Sequence, residues 1–319
     1  MTQKRPTAKG VEAAASRVAA HVTRTPLLPL DWEGRRVWIK AECLQQGGSF
    51  KLRGAFNRLL LLSEAERARG VVAFSSGNHA LGVALAARRL GIAATIVMPS
   101  DAPAVKRDAT LAAGAEIVAY DRATQSREAI AARLAAEKGC VLVPSFDDVD
   151  VIEGQGSAGV EIAEQLGRSP DTVLVPCGGG GLSAGIALAL PGAAIVTVEP
   201  AGWDDMARSL EAGRPVPVEE PAPPTRCDAL QTRLVSPLTL DALRGSGARG
   251  LSVSEGEIET AMAFAARHLR LVAEPGGAVA LAALLAGKAG PVTERTVVVI
   301  SGGNVDPALY AEILARSGA

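Results

Sequence analysis

Between Val71 and Val198 the chain alternates short, nearly unbroken apolar blocks with longer Ala-rich stretches whose apolar positions recur at helical spacing. Val71–Phe74, Ala94–Met98, Glu116–Tyr120, Val141–Val143, Val173–Val175 and Ala194–Val198 have the length and composition of strands. Asn78–Leu90, Ala104–Ala113, Ala129–Lys138, Gly159–Leu166 and Leu182–Leu190 read as helices, the first two stopped by Gly91 and Gly114. A final strand is expected at Thr296–Ile300, and the proline-rich stretch from Arg214 to Pro224 as a long loop. Strands and helices alternating at this spacing imply βαβ units, hence an α/β fold with a mainly parallel sheet.

Length and composition narrow the class. The chain has 319 residues, 48% of them hydrophobic and 21% charged, enough for a large core and comfortable for two domains. A formal net charge of -1 without an evident basic patch argues against nucleic acid and anionic membrane as partners. The apolar blocks are too short to span a bilayer, and the opening MTQKRPTAKG lacks the apolar core of a secretion signal. A cytoplasmic protein is expected. Cys43, Cys140, Cys177 and Cys227 form no CxxC pair, and His21, His79 and His268 are dispersed. Neither a zinc site nor a disulfide framework is therefore expected.

Three polar or glycine-rich segments follow apolar blocks directly: Ser75-Ser76-Gly77-Asn78-His79, Gly178-Gly179-Gly180-Gly181-Leu182, and Ser301-Gly302-Gly303-Asn304. In open α/β sheets ligands gather at the carboxyl ends of strands, so the three could converge on one crevice. Four consecutive glycines ahead of a helix let backbone N–H groups close on an anion, which makes a phosphate cradle. No Gly-Lys-Ser/Thr follows, so it is not a Walker loop. Lys51, in Gly48-Ser49-Phe50-Lys51-Leu52-Arg53-Gly54-Ala55, stands between small residues and an apolar flank. Left in water it would be a solvated charge; partly desolvated, its amine becomes nucleophilic towards an aldehyde. A phosphate cradle and an imine-forming lysine are the two handles pyridoxal phosphate needs.

With Glu274-Pro275-Gly276-Gly277-Ala278, Asp147-Asp148 and Gly154-Gln155-Gly156 added, these segments resemble the fold-type II pyridoxal-phosphate enzymes, in the serine/threonine dehydratase and serine racemase branch. The resemblance implies a tryptophan synthase β-like architecture of two open, twisted, mainly parallel sheets with helices on both faces. Residues 1–69 and 148–319 would form the cofactor-binding domain and 70–147 a smaller mobile one. It implies that Lys51 carries the cofactor and then serves as base, Phe50 packs on its ring and Asn78 bonds its 3′-hydroxyl. Gly178, Gly179, Gly180, Gly181 and Leu182 would hold the phosphate and Ser301 would face the pyridine nitrogen. Ser75, Ser76, Gly77, Asn78 and His79 would cup the substrate carboxylate. Ser76 would lie on the face opposite Lys51, either as a second proton-transfer group, as racemisation requires, or as a carboxylate-binding turn residue.

Glu199-Pro200-Ala201-Gly202-Trp203-Asp204-Asp205 resembles the branch's cation loop, with Glu199, Asp205 and the Trp203 carbonyl as oxygen ligands for Mg²⁺ or Ca²⁺. The alternative is a solvated acidic turn. Arg127, in Ser126-Arg127-Glu128, would meet the distal end of a substrate, a second carboxylate making 3-hydroxyaspartate attractive; the alternative is a surface charge. Leu81 departs from the glutamine many relatives carry there. Nothing beyond residue 319 supplies the regulatory domain of biosynthetic threonine deaminases, so isoleucine feedback is not expected. The implied activity is dehydration of a small β-hydroxy amino acid such as L-threonine or L-serine to a 2-oxo acid and ammonia. Serine racemisation and 3-hydroxyaspartate dehydration are the alternatives, β-replacement a more distant one, and a homodimer is expected.

Overall fold

The structure is a computed structural model that describes residues 4–316 apart from Ser76, Pro103 and the side chain of Val105. Two sheets organise it. The larger runs β1 (Leu27–Trp32), β2 (Arg35–Ala41), β10 (Thr296–Ile300), β7 (Thr172–Pro176), β8 (Ala194–Pro200), β9 (Arg249–Val253). Its β1–β2 hairpin is antiparallel and every other pairing parallel. The smaller, all parallel, runs β5 (Glu116–Tyr120), β4 (Ala94–Pro99), β3 (Val71–Phe74), β6 (Val141–Leu142). The helices are α1 (Ala8–Val18), α2 (Lys51–Leu60), α3 (Glu64–Arg69), α4 (Asn78–Leu90), α5 (Ala104–Ala112), α6 (Arg127–Lys138) and α7 (Val149–Leu166). They continue as α8 (Gly181–Ala189), α9 (Asp205–Ala212), α10 (Pro237–Gly245), α11 (Glu255–Phe264), α12 (Pro275–Leu285) and α13 (Pro307–Arg316).

Alternate strand residues face opposite ways, and here both faces are covered. Val173, Val175, Val297 and Val299 pack under α7 and α8, while Leu174, Val298 and Ile300 pack against α11 and α12. In the smaller sheet Ala73, Ile96 and Met98 join α2 and α4, and Val72, Val97 and Tyr120 face α6. Burial on both faces is why the strands read as continuous apolar runs. The core of the smaller sheet draws Leu52, Ala55, Phe56 and Leu59 from α2, so packing crosses the boundary expected at residue 69.

The clearest departure from the sequence reading is α7. It begins at Val149, ten residues before the helix expected at Gly159. Gly154 and Gly156, which lower helix propensity, lie inside it because backbones meet there. A Cβ on Gly154 would stand 2.7 Å from the Gly54 Cα of α2, and one on Gly156 2.7 Å from the Gly185 carbonyl of α8. No helix among the described residues is long and apolar enough to cross a membrane.

Candidate active site

The ends of β3, β7 and β10 bring their loops to one crevice. Lys51 is the first residue of α2, and the segment before it is tied to the β10 loop. Ser49 bridges to Gly302, the Phe50 N–H donates to the Ser301 carbonyl at 3.1 Å, and the Gly303 N–H donates to the Gly48 carbonyl at 2.9 Å. A Cβ on Gly82 would approach the Lys51 carbonyl carbon to 3.2 Å, so glycine there lets α4 lie against the start of α2. The lysine ammonium donates to the Ser145 carbonyl at 3.0 Å and sits 5.1 Å from the centre of the Phe50 ring. Burial lowers its pKa to about 8, the Glu274 carboxylate opposing the shift.

Two residues further on, the Arg53 guanidinium is completely buried. It forks onto Glu42 at 2.7 and 2.8 Å and onto Glu161 at 2.7 and 2.9 Å; Lys40 also donates to Glu161, at 2.6 Å. This cluster pins the first turn of α2, and with it Lys51, to the end of β2 and to α7.

Asn78 opens α4 and is buried. Its Oδ1 accepts from Asn304 Nδ2 at 2.8 Å, and the same nitrogen donates to the Gly47 carbonyl at 2.8 Å. Its Nδ2 donates to Glu274, leaving one amide hydrogen for a ligand. The Glu274 carboxyl, buried at the start of α12, is pushed up to about 7 by that burial, with the Asp228 charge adding. Gly302 lets it in: a Cβ there would stand 2.0 Å from Glu274 Oε1. Glu274 carries no signal of this role in the sequence, because its partner Asn78 is far away along the chain. The next residue of α4, His79, donates from Nε2 to the Val143 carbonyl at 2.8 Å, while its Nδ1 is buried without a partner. Burial, and then the Lys51 charge, lower its pKa to about 3, so the ring is neutral. Ser75 Oγ accepts from the Gly77 N–H at 3.1 Å; Ser76 lies outside the described residues.

The glycine loop leaves the N-terminus of α8 open, as an anion cradle requires. Gly180 caps α8 in a left-handed conformation (φ 84°) with no side chain taking the helix's first N–H groups. Cβ atoms on Gly179 and Gly180 would collide with Phe146 at 2.3 Å and Met206 at 2.5 Å. Phe146 follows Ser145, the acceptor of Lys51, so the loop and the lysine flank one segment. An anion cradle, a buried amine of lowered pKa and a free amide hydrogen on Asn78 together suit pyridoxal phosphate.

The remaining residues singled out from sequence lie apart from this crevice or at its edge. Arg127, the first residue of α6, has a side chain 44% exposed, donates from Nε to Glu128 at 2.8 Å and holds its guanidinium carbon 5.6 Å from the centre of the Phe74 ring. Phe74 ends the strand that leads into the Ser75 loop. Glu199 is buried at the end of β8, where it accepts from the Met206 and Ala207 N–H groups at 2.9 and 2.8 Å and so caps α9. Burial and the neighbouring Asp205 charge raise its carboxyl well above the usual range; burial pushes Asp205 to about 7. Both Asp205 oxygens are buried without a hydrogen-bond partner, while Trp203 is buried with its indole N–H on the Pro223 carbonyl at 2.8 Å. Among the described residues no group of three or more His, Cys, Asp or Glu gathers that could hold a metal ion.

Comparison with known proteins agrees with this geometry. The family model for pyridoxal-phosphate dependent enzymes matches residues 18–303. The chain is 44% identical to the L-threo-3-hydroxyaspartate ammonia-lyase of a Pseudomonas species, over 94% of this chain and 96% of that one. It is 40% identical to the protein of the same description from Saccharomyces cerevisiae, over 97% and 96%. The structure of maize serine racemase superposes with a TM-score of 0.91 at 35% identity, covering 98% of each chain. Matched in sequence and in fold over nearly its whole length, the chain belongs to the fold-type II pyridoxal-phosphate dependent enzymes, in the branch of ammonia-lyases and serine racemases.

Proposed function

We propose that this chain is a pyridoxal-phosphate ammonia-lyase whose preferred substrate is L-threo-3-hydroxyaspartate, converted to oxaloacetate and ammonia. The observation that carries the choice of substrate is the basic group at the edge of the crevice. Arg127 is set against Phe74 at the root of the loop that opens α4, where a second carboxylate would take the guanidinium over from the exposed Glu128. The 44% and 40% identity to enzymes described as acting on this compound supports the same reading. L-Serine and L-threonine, which lack the second carboxylate, are the weaker substrates in this proposal.

The bound cofactor supplies the electron sink that acidifies the substrate Cα proton and lets the β-hydroxyl leave. The chain's own residues do the rest. Lys51, held by the Arg53 cluster and desolvated, takes the Cα proton at Nζ. The Asn78 and His79 N–H groups, in the first turn of α4, bind the α-carboxylate. Asn78, through the second hydrogen of its Nδ2, and the α8 N-terminus would hold the cofactor by its hydroxyl and its phosphate. The neutral His79, anchored to Val143, keeps an uncharged wall beside the lysine. Glu199, Asp205 and the Trp203 carbonyl would hold Mg²⁺ or Ca²⁺, with water completing the shell; the partnerless oxygens of Asp205 favour this over a solvated turn.

The test is 2-oxo acid release from L-threo-3-hydroxyaspartate, L-threonine and L-serine with pyridoxal phosphate and Mg²⁺ present. The expected result is a kcat/KM for hydroxyaspartate at least tenfold above the other two. Equal or greater turnover of threonine or serine would overturn the choice of substrate. Silence from all three, with D-serine accumulating from L-serine, would make the chain a racemase.

A further inference from the structure

Above the loop that opens α4, one ion pair joins the two sheets, and nothing in the reaction outlined so far uses it. Lys106, on α5 of the smaller sheet, meets Asp228 in the one-turn helix Asp228–Leu230 that follows the proline-rich loop. That turn rests on the glycine loop: a Cβ on Gly178 would stand 3.3 Å from the Leu230 Cα and 3.6 Å from the Ala229 carbonyl oxygen. The Lys106 ammonium lies 3.9 Å from the Cβ position of Gly77, one residue before Asn78. Lys106 therefore stands against the loop that opens α4 from one sheet, while the turn carrying its partner stands against the glycine loop from the other. The Lys106 side chain is 17% exposed and that of Asp228 46%, so the cation is the more enclosed member of the pair. Glu274 feels both: burial raises its carboxyl, Asp228 adds to the rise and Lys106 opposes it.

We propose that Lys106 determines specificity for the distal carboxylate of a four-carbon dicarboxylic substrate, with Asp228 as its resting partner. The inference rests on the assignment of hydroxyaspartate as substrate and gives that selectivity a second residue. With the α-carboxylate on the first turn of α4, ordinary bond lengths put the distal carboxylate carbon about 3–4 Å from the α-carboxylate carbon. That is within reach of the Lys106 ammonium. The incoming carboxylate takes over the ammonium from Asp228, exchanging one ion pair for another, and Asp228, the more exposed member, turns to water. A monocarboxylic substrate such as L-serine offers Lys106 nothing and leaves the pair closed. Selectivity then has an attractive and a repulsive part: without Lys106, the uncompensated Asp228 faces the second carboxylate.

The experiment is steady-state kinetics of the cofactor-loaded Lys106→Met and Lys106→Arg enzymes on L-threo-3-hydroxyaspartate and L-serine. One charge-assisted contact is worth about 10- to 100-fold. Lys106→Met should therefore lower kcat/KM for hydroxyaspartate by about that factor and leave L-serine within threefold. Lys106→Arg should recover part of the loss. Equal losses on both substrates, or none on hydroxyaspartate, would overturn the proposal. Equilibrium binding of L-malate and L-lactate, read from cofactor emission, separates this inference from the substrate assignment. Even if the native enzyme released no oxaloacetate, Lys106→Met weakening L-malate alone would support the distal contact. Weakening of both acids or of neither would refute it.

Discussion

Lys51 is an amine made reactive by where it stands. At its pKa of about 8, about a tenth of the side chain is a free amine at pH 7, against well under a thousandth for an ordinary lysine. Folding lowers this pKa, so the neutral amine appears as pH rises through about 8. The rate at which the cofactor-free protein takes up pyridoxal phosphate, followed by imine absorbance, should climb between pH 6.5 and 8 and level off above 9. A rate still rising steeply at pH 10 would place the lysine in water instead. Lys51→Ala should abolish 2-oxo acid release altogether. The lysine was legible because its whole motif lies within eight consecutive residues. The bond from Asn78 to Glu274 was not, since it links two segments through a gap that only Gly302 leaves open.

Among elements, α7 shows what periodicity alone misses. Two glycines weaken the helical pattern in the sequence, yet in three dimensions they are where α2 and α8 close on either side. Gly156→Ala would improve intrinsic propensity by up to about 1 kcal/mol and still destabilise, because overpacking a tight contact costs about 1–3 kcal/mol. Urea unfolding should show a net loss; a gain would mean that the helices separate freely. The β8–α9 corner makes a second prediction. Folding raises the Asp205 carboxyl from its ordinary range near 4 to about 7, so the fold holds an extra proton. The stability this contributes is complete below about pH 4 and is lost as pH rises through about 7. A divalent cation needs the ionised carboxylates, so its effect must grow over that same interval. Mg²⁺ or Ca²⁺ should raise Tm by several degrees at pH 8 and have little effect at pH 5.5. No effect at pH 8 would leave the corner as a helix cap alone.

For the molecule as a whole, the α/β class and most strands between Val71 and Ile300 could be read from apolar runs buried on both faces. The β1–β2 hairpin and β9 could not: exposed residues interrupt β1, two exposed arginines open β2, and β9 is half-buried along most of its length, which weakens the apolar signal. Strand order was equally hidden, because hydrophobic pattern says which residues are covered and not which strand lies beside which. That order has a consequence for how the protein is made. The smaller sheet uses only residues 71–142 and can begin to assemble early in synthesis. The larger sheet has β10 inserted between β2 and β7, so its two halves stay unjoined until Thr296–Ile300 has left the ribosome. The segment before Lys51 pairs with residues 301–303, so the cofactor pocket closes only then as well. A nascent chain therefore carries its reactive lysine for most of translation without the means to use it, and the long-range closure that creates the pocket belongs among the slow steps of folding.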